Sequence, residues 1–197
     1  MPEGVYTVIS IDPVPPPSEK EIKQGLKKKD HEVILALGKK GKDYFLLEYA
    51  MKNGHFPTWT IAEFFRMVRK WKPVRTVVES VAYQRTLAWL LRTAMETQNI
   101  WVPVIEYTDK RPKSVRIISA LSGISSYGHL WIRREHVDFI SQFVNYPNVP
   151  HDDILDALAI AISEINMNIM GEEEESLDEI LKSEKSLPRL NYRRGAP

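Results

Sequence analysis

Residues 5–12, VYTVISID, run as almost unbroken apolar and β-branched positions up to an aspartate, the pattern of a strand covered on both faces. Pro13, Pro15, Pro16 and Pro17 cannot continue a central strand, so the chain leaves the sheet at Asp12. The charged segment 18–30 predicts a loop or a short exposed helix. Two strands, about 32–38 and 43–50, flank a glycine-containing turn and read as a hairpin. The rhythm then becomes helical in IAEFFRMVRKWK, with Thr60 and Glu63 at capping-box spacing and Pro73 as the stop. VRTVVES predicts a strand ending in an acid, YQRTLAWLLRTAMETQ an amphipathic helix, and IWVPVIEY a further strand. Residues 112–122 predict a helix, GHLWIRR a short edge strand and EHVDFISQFVN a short helix. NVPHDDILDALAIAIS closes the core as an apolar helix with three aspartates at its mouth. A strand and hairpin followed by alternating helices and strands predict an α/β or α+β sheet with helices on its faces.

Composition narrows the class only a little. The 197 residues, 43% hydrophobic and 27% charged, suit one domain with a sizeable core plus peripheral sequence. Domain boundaries are expected at 1–170 for the core and 171–197 for a peripheral or disordered tail. That tail holds seven acids, five bases and a possible helix after Ser176. The absence of cysteine excludes disulfides and thiolate metal sites. No apolar run approaches the roughly 20 residues that span a bilayer, and no signal-peptide pattern opens the chain, so a soluble intracellular protein is expected. With a net charge of +1, bulk charge announces no nucleic-acid partner. The abrupt start in a strand suggests a fragment of something longer.

The acids sit at informative places. Asp12 ends the first strand, Glu79 ends the fourth, and Asp152, Asp153 and Asp156 open the last helix. Individually, each has an ordinary structural role as turn starter, strand end or helix cap. Together, carboxylates at the carboxyl ends of adjacent strands project into one crevice and raise each other's pKa unless a cation compensates. Mg²⁺, which prefers oxygen ligands, is the natural partner, and two such ions about 3.5–4 Å apart can cleave a phosphodiester. Asp156 lies three residues after Asp153 and shares its helix face.

Strand-IDP, strand-VVES with a helix behind it, a basic helix after YTDKRPKSVR, and PHDDILDALA occur here in that order. The series resembles the nuclease domain of phage terminase large subunits over roughly residues 5–166. That resemblance implies a ribonuclease H-like fold, akin to RuvC-type junction resolvases: a mixed sheet, its first strands antiparallel and the later ones parallel, flanked by helices. It implies a metal-dependent endonuclease cutting double-stranded viral DNA during genome packaging in the host cytoplasm. Two Mg²⁺ or Mn²⁺ ions would be held by Asp12, Glu79 and Asp153, with Asp12 bridging and Asp156 a further ligand. Of the three helix-mouth acids, Asp153 is ranked first, Asp152 is expected to cap the helix or to support a ligand from behind, and His151 stays outside the catalytic set. Implied partners are an ATPase domain, the portal and the small terminase subunit. No GxxxxGK[ST] occurs, so the chain reads as an isolated nuclease domain. The loop after IDP is longer and richer in proline than the family's usual short link.

In YTDKRPKSVR, Lys110, Arg111, Lys113 and Arg116 face only Asp109, which suits neutralisation of phosphates without base readout. Lys27, Lys28, Lys29, Lys39, Lys40 and Lys42 form a weaker basic signal, and Trp59, Trp71, Trp89 and Trp101 read as core. The same acids would serve a junction resolvase or transposase-type nuclease. A non-catalytic module that docks DNA or a portal is the alternative from another class.

Overall fold

A computed structural model of the chain describes residues 4–23, 31–79 and 82–167. Along them run β1 (Tyr6–Asp12), α1 (Glu19–Lys23), β2 (Glu32–Lys40), β3 (Asp43–Lys52), α2 (Pro57–Trp71) and β4 (Arg75–Glu79). They continue with α3 (Ala82–Gln98), β5 (Val104–Tyr107), α4 (Lys113–Ser126), β6 (Leu130–Trp131), α5 (Val137–Asn145) and a last helix over residues 153–167, α6. Met1–Ile165 form one compact unit, and the second, Asn166–Pro197, lies almost wholly outside the described residues. The expected tail 171–197, its helix after Ser176, and Lys27, Lys28 and Lys29 also fall outside them. Among the described residues no helix is long and apolar enough to cross a membrane.

The sheet has six strands in the order β5-β4-β1-β2-β3-β6. β1 is central because both of its faces are apolar, and residues 7–11 are all buried. It pairs antiparallel with β2 and parallel with β4, while β4 runs parallel with β5. The sheet is therefore mixed, an antiparallel hairpin side joined to a parallel side, as the ribonuclease H-like expectation required. β6 adds a short parallel edge beside β3.

Side chains alternate across a strand, so parity decides which layer each residue meets. Ile9, Ile11, Ile34 and Val78 join Phe64 and Phe65 of α2 and Leu87 and Leu91 of α3 in one core cluster. The opposite face belongs to α6. Ser10 donates its hydroxyl to the Ala157 carbonyl at 2.7 Å, and Arg75 reaches Glu164 at 3.3 Å. All residues from Asp153 to Ile162 are buried, so α6 is anchored along its length. Asp12 shares the parity of Ser10, and Glu79 that of Arg75; both therefore point to the α6 side.

Local expectations shifted in three places. α2 begins at Pro57, whose fixed φ and missing N–H suit a first helical position, and Phe56 makes no side-chain cap. Thr60 consequently lies inside the helix and donates to buried Glu32 instead of forming a capping box. The predicted strand over 100–107 contracts to Val104–Tyr107, since Pro103 has no N–H to give a ladder. Trp89 and Trp101 are 61% and 63% exposed and are not core, whereas Trp59 and Trp71 pack partly buried against it.

Candidate metal centre

Ile11 pairs with Val78, so Asp12 and Glu79 stand side by side one step further along two adjacent parallel strands. α6 crosses the same end of the sheet, and its first turn adds Asp153 and Asp156. A cavity of about 310 Å³ opens there, lined by Asp12, Glu79, Asp153, Asp156, Lys113 and Arg116, with Pro13, Val14 and Pro15 on one rim and His31 on another. One carboxylate oxygen from each of Asp12, Glu79 and Asp156 lies within 4.8 Å of the others.

Asp153 and Asp156 are both nearly buried but do different things. Asp156 completes the cluster with Asp12 and Glu79. Asp153 turns Oδ2 toward His31, whose main-chain N–H donates to it at 3.1 Å, and toward His151. Asp156 thus sits with the strand-end acids, and Asp153, ranked first from sequence, stands beside them in the same cavity. Asp152 holds the cap position, its carbonyl accepting from the Asp156 N–H at 3.0 Å. Its carboxylate goes instead to Lys113, at 2.8 Å. The free amide of Ile154 is capped from α5, by Gln142 Oε1 at 3.1 Å.

The basic segment divides. Lys110 and Arg111 are exposed before α4, Arg111 paired with Asp109 at 2.6 Å. Lys113 and Arg116 lie one turn apart on α4 and reach into the acids. Lys113 Nζ stands 2.8, 3.6 and 3.4 Å from Asp152, Asp153 and Asp156. Arg116, only 5% exposed, contacts Glu79 at 2.9 Å and grips Asp156 with two bonds. Its burial commits this guanidinium to carboxylates, where the sequence pattern had suggested phosphates.

Five carboxyl groups thus confront two fixed cations. Burial raises the Asp12 pKa well above the usual carboxylate value, and Asp156 and Glu79 add to the rise. Asp156 is also raised, by burial first, although Lys113 and Arg116 pull against it. For Lys113 burial opposes the charge, but Asp156, Asp152 and Asp12 outweigh it and hold the ammonium firmly protonated. The remaining negative charge and the all-oxygen donor set of Asp12, Glu79 and Asp156 fit a hard divalent cation.

No protein-family model matches the chain, and no curated protein matches it by sequence. Solved structures do match by fold. The large terminase of a thermophilic bacteriophage is similar at TM-score 0.59 and 12% identity, over 84% of this chain and 41% of that one. This chain therefore spans about two fifths of that protein. The large terminase nuclease of a second thermophilic phage, G20c, with bound magnesium, is similar at TM-score 0.58 and 15% identity, over 82% of each chain. The human cytomegalovirus terminase nuclease domain, Mn-soaked and inhibitor-bound, is similar at TM-score 0.56 and 11% identity, over 80% and 82%. By its mixed sheet and flanking helices, the chain has the ribonuclease H-like fold seen in these terminase nuclease domains.

Proposed function

We propose that the chain is a divalent-metal-dependent endonuclease that cuts double-stranded DNA in viral genome packaging, as the nuclease part of a terminase large subunit. The observation that carries the reading is the meeting of Asp12, Glu79 and Asp156 from two strand ends and a helix in one open cavity, with Asp153 beside them. The fold shared with phage and cytomegalovirus terminase nucleases supports it. Asp12, Glu79, Asp153 and Asp156 would hold Mg²⁺ or Mn²⁺. Two such ions would supply an activated water and charge neutralisation for the departing 3′ oxygen of a phosphodiester.

The chain's own residues have separable tasks in this reading. Lys113 and Arg116 balance the carboxylates and keep them converged before metal arrives. Lys110 and Arg111, exposed ahead of α4, meet backbone phosphates and carry no base specificity. An ATPase segment, the portal and the small terminase subunit are the partners this role entails, in the host cytoplasm.

The test is plasmid cleavage with Mg²⁺ or Mn²⁺ by the wild-type chain and by Asp12→Asn. Cutting is expected from the first and none from the second. Undiminished cutting by Asp12→Asn would overturn the proposal, and selective cutting of four-way junctions over linear duplex would move it to a resolvase.

A further inference from the structure

Beyond the three-acid cluster, two histidines distant in sequence meet on the outer side of Asp153. His31 immediately precedes β2, and the pairing of Asp12 with Val33 places it just past the end of β1. His151 lies in the turn leading into α6, two residues before Asp153. Their rings stand edge to face with centroids 4.9 Å apart. Both present Nδ1 to the same carboxylate oxygen, Asp153 Oδ2, His31 at 3.5 Å and His151 at 3.8 Å. One ligand atom from each of the three residues lies within 4.8 Å of the other two.

A pair of histidines that merely braces a carboxylate would hydrogen-bond it. Here His151 Nδ1, at 3.8 Å, is beyond such a bond, and His31 Nδ1, 3.5 Å from the same oxygen, is shielded from solvent without a hydrogen bond among the described residues. A buried polar nitrogen left so is destabilising. A cation seated between the three groups would give that nitrogen a partner. The main-chain N–H of His31 already fixes the Asp153 carboxylate at 3.1 Å, so one ligand is preoriented.

The donor set decides which cation. The cluster of Asp12, Glu79 and Asp156 offers oxygen alone, whereas this one offers two imidazole nitrogens and one carboxylate. Magnesium dehydrates reluctantly and prefers oxygen, while imidazole suits zinc and its first-row neighbours. We propose that His31, His151 and Asp153 form a second metal site, separate from the oxygen cluster, that takes a divalent transition metal of the zinc type in preference to Mg²⁺. Asp153 links the two places, with Oδ2 toward the histidines and Oδ1 toward Lys113. A cation there fastens the start of β2 to the mouth of α6. The site stands on its own geometry, whether or not the chain cuts DNA.

The experiment is calorimetric titration of the metal-free full chain with ZnCl₂ in a millimolar excess of Mg²⁺. It is run on the wild type, His31→Ala, His151→Ala and Asp12→Asn, with each fold checked by circular dichroism. One zinc is expected to bind the wild type despite Mg²⁺, to bind Asp12→Asn almost equally, and to lose about tenfold or more in affinity in each histidine variant. In the wild type loaded with Cu²⁺, electron spin-echo spectra are expected to carry imidazole-nitrogen modulation, a readout that needs no variant. Unchanged zinc binding in both histidine variants, loss in Asp12→Asn alone, or the absence of nitrogen modulation would each overturn the site. Zinc bound at the histidines by a chain that leaves DNA intact would defeat the nuclease proposal and leave this one standing. DNA cleavage without that zinc would do the reverse.

Discussion

Arg116 holds Asp156 through two parallel bonds, Nε to Oδ1 at 2.8 Å and a terminal nitrogen to Oδ2 at 2.6 Å, with both residues buried. The same guanidinium reaches Glu79, so one cation from α4 ties the end of β4 to the start of α6. Removing one partner of a buried pair leaves an uncompensated charge and costs about 3–5 kcal/mol. Arg116→Met is therefore expected to lower the unfolding free energy of the metal-free protein by about that amount. Part of the loss should return with Mn²⁺, which supplies the missing positive charge. Urea unfolding with and without the ion measures both effects.

Metal binding should depend on pH in a defined sense. Asp12 and Asp156 both carry raised pKa values, from burial first and then from neighbouring acids. A raised carboxyl favours the folded chain while protonated, so its contribution is complete below the ordinary value of 3.8 and disappears as pH rises through the folded value. A divalent cation favours the ionised form and displaces those protons. The thermal shift produced by Mn²⁺ or Mg²⁺ is thus expected to be larger near about pH 8 than near about pH 5. A shift independent of pH would show that the cation binds elsewhere.

Glu32 gives a second pH dependence, away from the acids. Burial pushes its carboxyl up to about 7, against hydrogen bonds from the Thr60 hydroxyl and the Val14 backbone. His55 Nε2 lies 3.3 Å away, but burial and Lys52 lower the His55 pKa, so it brings no charge at neutral pH. Stability from Glu32 is complete below 4.5 and lost as pH rises to about 7. Glu32→Gln keeps the size and the accepting oxygen without the charge. It is expected to be more stable than the wild type by up to about 3 kcal/mol above neutrality, and equal to it at acidic pH. Denaturant titrations at the two ends of that window provide the check.

The two aspartates of α6 should separate by substitution. Asp156 clusters with Asp12 and Glu79, while Asp153 lines the same cavity with one oxygen turned to the histidines, so Asp156→Asn is expected to abolish metal-dependent cleavage. Asp153→Asn should cost about 10–100-fold and alter the ranking of metals that support cutting. Equal losses with the same metal ranking would mean that both carboxylates serve a single ion.

Much of this architecture is written in local pattern. The unbroken apolar run before Asp12, the hairpin around Gly41, and the apolar helix behind Asp153 and Asp156 follow from periodicity and turn chemistry, which act between near neighbours. Strand ends are visible in the same way, so Asp12 and Glu79 could be singled out from where their strands stop. What each side chain meets is another matter. Lys113 and Arg116 look like any solvated basic helix until α4 packs against the acids, because a charge run has the same sequence whether water or a carboxylate neutralises it. Trp89 and Trp101 sit in apolar surroundings along the chain yet face outward, since which side of an element is covered depends on what packs there. His31 has no local signature, and its bond to Asp153 spans 122 positions. Contacts of that range depend on how strands and helices are brought together, and nothing in the residues beside His31 encodes their meeting.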